Sequence, residues 1–329
     1  MLYGVKHWAV RKAVLPALYA LSKLVAAGLE RYAPGNEAYD IFSRHGYHLL
    51  KKHYFLPIPD RAELGDDFWE GQSELVGIEM NEAGALALLR DVFPPYVAEF
   101  DRLFPLHPTD DPQQFYLING NFMAVDAHVY YSFIRHLRPR RVVEIGSGYS
   151  TLVAAACAQK LEQEGEAAPH LTAIEPFPSP FLRAGFPGLS RLIEEKVQDV
   201  DLGVFTSLEA GDILFIDSTH VLRAGGDVQL EYCEILPRLA PGVVVHIHDI
   251  SLPKPYPRVY IEKNHYYWNE QYVLQTFLAF NSRFEVLWPG NYMMVKFPEL
   301  VRRGFPSFDA MRESFPQSEP SSFWLRVRT

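Results

Sequence analysis

Short apolar strands alternate with helical segments after about residue 115, and this pattern constrains the fold more than any other. Strands are predicted at residues 141–145, 171–174, 191–197, 212–216 and 243–247. Such alternation is typical of a parallel sheet covered by helices on both faces. Residues 284–288 and 292–297 flank a short Pro-Gly-Asn turn, which predicts an antiparallel pair. The expected fold is an α/β, doubly wound sheet with a terminal antiparallel hairpin.

The first part of the chain has a different pattern, made of helical and irregular segments. A turn-rich stretch at residues 106–112 separates it from the strand-rich part. We therefore predict two domains, an N-terminal helical region over residues 1–115 and an α/β domain over residues 116–329. The aromatic residues of the first region predict that it packs on the second and helps to close its substrate side.

Composition limits the compartment and the partners of the chain. The net charge is −9, which argues against a broad phosphate-binding surface and hence against nucleic acid as a partner. Only Cys157 and Cys233 are present, so a disulfide framework is excluded and a cytoplasmic location is expected.

Residues 5–30 form an apolar stretch interrupted by four basic residues, which are Lys6, Arg11, Lys12 and Lys23. It lacks the run of roughly 18 uncharged apolar residues that spans a bilayer, so we predict no integral membrane segment. One interpretation is a helix that lies on a membrane surface. The other, which we favour, is a helix packed on its own domain or on a partner subunit of a homo-oligomer.

Polar residues follow four of the predicted parallel strands. They are Glu144 with Gly146 and Gly148, then Glu175, then Asp217, and finally His248 with Asp249. Open parallel sheets bind ligands beyond the carboxyl ends of their strands. The sequence therefore predicts one crevice lined by these residues, in which a small molecule binds.

The segment from Glu144 to Thr151, EIGSGYST, is a glycine loop between a strand and a helix. Its glycines allow the backbone to approach a ligand closely. A dinucleotide-binding loop carries a third glycine, which is absent here, and Glu144 would repel a pyrophosphate. A nicotinamide-dependent oxidoreductase therefore stays an alternative that the loop disfavours.

This loop resembles the first motif of the class I S-adenosylmethionine-dependent methyltransferases, which is an acid, any residue, Gly, any residue, Gly. The resemblance covers roughly residues 116–297 and implies a Rossmann-like methyltransferase sheet. In that family the loop holds the methionine part of the cofactor, an acid after the second strand binds the ribose, and a polar residue after the third contacts the adenine. The cofactor-binding residues that it implies are Glu144, Gly146, Ser147, Gly148, Tyr149, Ser150, Glu175, Asp199 and Asp217.

Two further segments carry acids beside histidines, DSTH at residues 217–220 and HIHD at residues 246–249. One interpretation is a hard divalent cation held by Asp217 and Asp249. The other is metal-free general-base catalysis by His220 or His248. His246 shares a strand face with His248 but lies deeper, which favours a core role.

Both segments resemble methyltransferase family 24 and its relatives, which include metal-dependent sugar O-methyltransferases. In them the acids after the fourth and fifth strands are metal ligands, and Asp217 and Asp249 match those places. The resemblance implies Mg²⁺ as the cation, although His248 stands where a second acid usually precedes the fifth-strand ligand. Residues 250–272, rich in aromatic residues, are interpreted as a lid over the crevice.

Taken together, these features predict an S-adenosylmethionine-dependent O-methyltransferase acting on a hydroxyl of a small metabolite, a sugar or a secondary-metabolite scaffold. The catalytic residues would be Asp217, His220, His248 and Asp249. The alternatives are the oxidoreductase and a non-catalytic, cofactor-binding member of the same family.

Overall fold

The computed structural model describes residues 10–32 and 36–328. The chain divides into two compact units, Met1–Asp60 and Arg61–Thr329. The boundary predicted between residues 115 and 116 falls inside the second unit, where Phe93 and Phe100 share a buried cluster with Trp288 and Trp324. As an assignment of domains, that boundary stays a prediction.

The first unit contains helix α1, Leu15–Tyr32, which continues from a π-helical turn at Val10–Val14, and helix α2, Asn36–Ser43. Most side chains from Arg11 to Leu29 are exposed. Within residues 10–32 and 36–328, Arg11–Leu29 is the one helical segment long and apolar enough to cross a membrane. A signal sequence or a buried core helix can have the same length and composition. The absence of an integral membrane segment, which we expected from the sequence, therefore stays a prediction.

A seven-stranded sheet organises the second unit, in the order β3-β2-β1-β4-β5-β7-β6. Its strands are β1 Arg141–Ile145, β2 His170–Ile174, β3 Arg191–Ile193, β4 Ile213–Ile216, β5 Val244–Ile247, β6 Phe284–Pro289 and β7 Phe323–Val327. Strands β1 to β5 pair in parallel, and β7 pairs antiparallel with both β5 and β6. The predicted doubly wound α/β sheet is confirmed.

The predicted partner of the last antiparallel pair is wrong. Residues 292–297 do not form a strand, because Gly290–Lys296 is a helix, and β6 pairs instead with β7 near the end of the chain. Short apolar runs such as Tyr-Met-Met-Val fit a buried helix and a buried strand equally well by periodicity. Three consecutive residues of β7, Phe323, Trp324 and Leu325, are buried because β7 lies between β5 and β6.

Helices cover both faces of the sheet. In chain order they are α3 Asp66–Glu70, α4 Glu82–Ala87, α5 Phe93–Leu103, α6 Asp126–Leu137, α7 Tyr149–Gln163, α8 Pro180–Ala184, α9 Gly203–Thr206, α10 Asp227–Leu230, α11 Glu270–Leu278, α12 Gly290–Lys296, α13 Pro298–Gly304 and α14 Ser307–Ser314. Two buried apolar clusters result, one of which contains Phe93, Phe133 and Trp324, and the other Leu214, Ile216 and Leu274. The sheet between them presents the carboxyl ends of β1, β2, β4 and β5 along one edge.

Candidate functional site

The glycine loop after β1 approaches the end of β4 so closely that a side chain cannot fit between them. Gly146 has φ +78°, and a Cβ atom on it would lie 1.8 Å from the carbonyl oxygen of Asp217. The amide of Asp217 in turn donates to the carbonyl of Ile145 at 2.8 Å. Only glycine combines a left-handed backbone with this approach. The loop and the acid after β4 are therefore held together by the backbone itself.

Glu144 fixes the loop from below and does not line the cavity above it. Its buried carboxylate accepts hydrogen bonds from Thr151 Oγ1 at 2.6 Å and from Tyr130 Oη at 2.8 Å. Thr151 Oγ1 also accepts from the amide of Gly148 at 3.1 Å. Burial is the main cause that raises the pKa of Glu144 to about 7. Glu144, the acid of the first motif, therefore holds the loop in place through its hydrogen bond with Thr151.

A cavity of about 840 Å³, here called the loop cavity, opens above the loop. Glu175 lines it, and its carboxylate accepts from the amides of Ser147 at 3.3 Å and Phe177 at 2.8 Å. Ser147 and Ser179 also line it, and their buried hydroxyl oxygens have no hydrogen-bond partner among the described residues. Gly146, Gly148, Tyr149, Ser150 and Asp217 complete this side of the cavity. A ligand there would find the carboxylates of Glu175 and Asp217 as acceptors.

Asp199 is the one predicted cofactor residue besides Glu144 that does not line the loop cavity. It is exposed and ends a short 3₁₀ turn, Val197–Asp199. The contact with adenine implied for it therefore stays a prediction. His246 is buried, lies 2.9 Å from Ser322 Oγ and stacks on Phe215, as expected for a core histidine.

Asp217, His220, His248 and Asp249 converge at one end of the loop cavity, and we call these four residues the Asp–His centre. Nε2 of His220 lies 3.2 Å from Oδ1 of Asp217 and 3.4 Å from Oδ2 of Asp249. Nδ1 of His248 lies 3.5 Å and 3.7 Å from the same two oxygen atoms. His220 and Asp249 have φ values of 59° and 55°, a strained conformation that clusters at functional sites. The structure thus brings together all four predicted catalytic residues.

A second carboxylate stands behind each imidazole. Glu270, the first residue of α11, hydrogen-bonds Nδ1 of His220 at 2.8 Å. Asp126, the first residue of α6, lies 3.6 Å from Nε2 of His248 and accepts from the amide of Ser322 at 2.9 Å. Both carboxylates are buried. Sequence analysis missed their role, because an acid at a helix start is explained by the helix dipole alone.

The charged groups of the Asp–His centre shift one another's pKa values. Burial opposes a charge on His220 and on His248, but the surrounding carboxylates outweigh it and raise both pKa values well above the ordinary range. Burial alone would raise the pKa of Asp217. The charge of His248 and the hydrogen bond with His220 outweigh burial and lower this pKa. Burial dominates at Asp249 and raises its pKa. The centre thus attracts positive charge.

The donor set fits a divalent cation on three grounds. Asp217, His248 and Asp249 each offer a ligand atom, and these atoms lie within 4.8 Å of one another. Nδ1 of His248, although buried, has no hydrogen-bond partner among the described residues. Carboxylates also outnumber imidazoles, because Asp126, Asp217, Asp249 and Glu270 surround only His220 and His248. A bound cation would give this nitrogen a ligand bond and would offset the excess negative charge.

A second cavity, of about 400 Å³, adjoins the loop cavity. The two share His248, Asp249 and Tyr260 among their lining residues. The second cavity is further lined by Asp126 and by Asn291, whose buried Oδ1 has no hydrogen-bond partner within the described chain. The Asp–His centre therefore lies where the two cavities meet.

The predicted lid contributes aromatic rings to the loop cavity. Tyr260, Tyr266 and Trp268 line it, and the ring of Trp268 stacks on Tyr266 with centroids 5.2 Å apart. Trp268 also contacts His220, with centroids 4.4 Å apart. Tyr256 is instead buried, where its hydroxyl accepts from the amide of Gln271. The lid stays a prediction, but its aromatic residues do line the site.

Comparison with known proteins identifies the domain. The methyltransferase family 24 model, described as a methyltransferase domain, matches residues 143–250, which include the glycine loop and the Asp–His centre. An uncharacterized protein of Archaeoglobus fulgidus is 37% identical over 165 residues, which cover 48% of this chain and 72% of that protein.

A solved structure was also found, a putative protein-L-isoaspartate O-methyltransferase from Plasmodium falciparum in complex with S-adenosyl-L-homocysteine. It is 12% identical, and the match covers 52% of this chain and 84% of that one with a TM-score of 0.27, too low to establish a likeness.

The sheet, the glycine loop and the family match define a Rossmann-like domain that binds S-adenosylmethionine. The chain belongs to the class I S-adenosylmethionine-dependent methyltransferases and is an enzyme of that class. The predictions of family, of fold class and of S-adenosylmethionine as the cofactor are thereby confirmed, and the oxidoreductase and non-catalytic alternatives are set aside. The divalent cation stays a prediction.

Proposed function

We propose that this methyltransferase transfers the methyl group to a hydroxyl oxygen of a small, polar metabolite. The observation that carries the proposal is the position of His248 and Asp249, which line the loop cavity and the second cavity alike. With the cofactor in the loop cavity, an acceptor in the second cavity meets the methyl group beside the Asp–His centre. That position suits the activation of an acceptor hydroxyl.

The reaction needs in-line geometry and a place for one proton. The acceptor oxygen attacks the methyl carbon, the carbon–sulfur bond breaks, and the sulfonium becomes a neutral thioether as S-adenosylhomocysteine. The hydroxyl proton has to leave at the same time, and the centre offers carboxylate and imidazole groups for it. Holding both reactants in adjoining cavities supplies the proximity on which such a transfer depends.

A divalent cation at the Asp–His centre is part of the proposal. Asp217, His248 and Asp249 would hold it, with His220 as a fourth ligand. When bound, a cation at this place would lower the pKa of the acceptor hydroxyl. Two imidazole nitrogens in the donor set favour a first-row transition ion over the Mg²⁺ that we predicted from the family resemblance. Mn²⁺ is such an ion and also suits the two carboxylates, so it is the probe used below.

The acceptor class is inferred from the second cavity. A volume of about 400 Å³ suits a small molecule. Its lining includes Asn121, Asp126, Asn291 and Ser321, which offer hydrogen-bond donors and acceptors to a polyhydroxylated molecule. Oδ1 of Asn291 is buried without a hydrogen-bond partner among the described residues, and a ligand hydroxyl that reached it would supply the missing donor. A sugar or a sugar-like metabolite therefore fits best.

A histidine base without metal is the second candidate chemistry. The observation that favours it is the pairing of Asp126 with Nε2 of His248, because a carboxylate in this position orients a histidine base. His248 would then take the acceptor proton itself, after losing the proton that the surrounding carboxylates favour in the free enzyme. The two chemistries differ in their response to a chelator.

The test uses the purified full chain, S-adenosylmethionine with a labelled methyl group, and a panel of sugars, phenols and amines as acceptors. We expect a stable methyl ether on a hydroxylated acceptor, identified by mass spectrometry and lost in Asp249→Asn. Methylation of nitrogen or carbon alone would contradict the proposal. Activity that survives exhaustive chelation would leave O-methylation standing but would replace the cation by the histidine base.

A further inference from the structure

Helix α1 exposes an unusual amount of apolar surface. The side chains of Leu18, Leu21 and Leu24 are 52%, 54% and 72% exposed. Single exposed apolar residues are ordinary, but several along one helix mark a binding surface. Nothing in the catalytic account uses this helix.

Lys23 lies on the side of α1 opposite to three of its exposed leucines, and we call the side of Lys23 the basic side. At about 100° per residue, Leu18, Leu21 and Leu24 fall on one broad side, and Tyr19 and Lys23 fall on the opposite side. The ammonium of Lys23 lies 4.5 Å from the ring centroid of Tyr19, which confirms that these two share a side. Such a distribution is typical of a helix that lies in the plane of a membrane interface.

The charge of this segment is opposite to that of the whole chain. Residues 1–32 contain five basic residues, Lys6, Arg11, Lys12, Lys23 and Arg31, and one acid, Glu30, although the chain has a net charge of −9. An acidic protein that concentrates basic residues in one apolar helix and just before it is complementary there to anionic lipid headgroups. The same unit exposes the adjacent rings of Tyr54 and Phe55, at 81% and 78%, and aromatic rings are enriched at membrane interfaces.

We propose that α1 binds an anionic lipid bilayer, lying along its surface with the leucines in the acyl boundary and the basic side at the headgroups. Lys23 argues against a spanning orientation, because it would place a charge within the hydrocarbon. The methyltransferase would then work at a membrane surface. This inference is independent of the acceptor and of the cation proposed above.

The test is sedimentation of the full chain with vesicles of phosphatidylcholine alone and of phosphatidylcholine mixed with phosphatidylglycerol. We expect binding to the anionic vesicles that weakens with salt and falls by about tenfold or more in Lys12→Glu/Lys23→Glu and in Leu18→Glu/Leu21→Glu. The matched control is Leu103→Glu/Leu106→Glu, which adds the same charges at exposed leucines of the second unit. Binding of S-adenosylmethionine should be unchanged in all three variants, which shows that they fold.

Three results would overturn the proposal. The first is that the wild type does not sediment with anionic vesicles, and the second is that the helix variants bind as the control does. The third is that bound protein resists extraction by alkaline carbonate, which would mean that α1 spans the bilayer.

Discussion

His220 and Glu270 lie fifty residues apart in the chain, and their side chains form a 2.8 Å hydrogen bond in the interior. The backbone reinforces the pair, because the amides of Asn269 and Glu270 both donate to the carbonyl of His220. The bond occupies Nδ1 and leaves Nε2 directed at Asp217 and Asp249. A carboxylate behind an imidazole is the usual partner of a metal-binding histidine.

Replacing Glu270 should therefore weaken the binding of the proposed cation and leave the binding of the cofactor unchanged. We expect Glu270→Gln to lower the affinity for Mn²⁺ by about tenfold to a hundredfold, the range found for outer-shell partners of metal ligands. Calorimetric titration with Mn²⁺ and with S-adenosylmethionine measures the two affinities. The control is Glu262→Gln, which removes a half-buried carboxylate that pairs with Arg258 away from the Asp–His centre. An Mn²⁺ affinity equal to that of the control would contradict the role given to Glu270.

A side chain at residue 146 should disrupt the glycine loop. Gly146→Ala costs roughly 1–2 kcal/mol for the left-handed backbone alone, and its Cβ also meets the carbonyl of Asp217. We expect a lower melting temperature and weaker binding of S-adenosylmethionine. In Gly65→Ala, where the new Cβ has open space, the cofactor affinity should stay at the wild-type value, and the melting temperature should fall by less than in Gly146→Ala because Gly65 only caps the short helix α3. Equal cofactor affinity in the two variants would refute the close approach of the loop to β4.

The buried acid of the first motif predicts a pH-dependent stability. Burial raises the pKa of Glu144 to about 7, so the folded protein retains a proton that the unfolded chain releases. This contribution is complete below the unfolded pKa of about 4.5 and is lost as the pH rises through about 7, a difference of about 3 kcal/mol.

Urea unfolding of wild type and Glu144→Gln at about pH 5 and about pH 8 tests this. Gln keeps an acceptor for Thr151 and Tyr130 but does not titrate. The free energy of unfolding of the wild type should therefore fall relative to the variant as the pH rises. A difference between the two proteins that is independent of pH would show that Glu144 is ionised throughout.

The acid after β2 should contribute to cofactor affinity. Glu175 lines the loop cavity, and we expect its carboxylate to accept from the ribose hydroxyls of the cofactor. Glu175→Ala should weaken the binding of S-adenosylmethionine by about 1–3 kcal/mol, because a charge-assisted hydrogen bond is lost. Glu194→Ala, an exposed acid paired with Arg183, serves as the control in the same binding assay. A wild-type dissociation constant in folded Glu175→Ala would place the ribose elsewhere.

Sequence patterns predicted the parallel sheet because each of its strands is an apolar run that ends at a polar or glycine-rich turn. They failed at residues 292–297, where a short apolar run without a clear period is a helix. They also missed β7, which is separated from β6 by three helices and finds its partners only through tertiary packing. Pairings over such a distance leave no local signal.

The candidate site was predictable to the same extent. Asp217 and Asp249 follow apolar strands and could be placed at one sheet edge, with His220 and His248 beside them. Glu270 and Asp126 could not be predicted, because each reaches the centre from the start of a helix that is distant in sequence. The role of Glu144 also required the structure, since its bond to Thr151 turns a motif acid into a support of the loop.

Binding of Mn²⁺ to the full chain, followed by electron paramagnetic resonance of the free ion, tests the central claim most directly. We predict one tight site per chain that is occupied with or without S-adenosylmethionine and is lost in Asp217→Asn/Asp249→Asn. Asp110→Asn/Asp111→Asn, which alters two exposed acids of a loop, should bind as the wild type does. A wild-type chain that binds no Mn²⁺, or a centre variant that binds it equally well, would contradict the account.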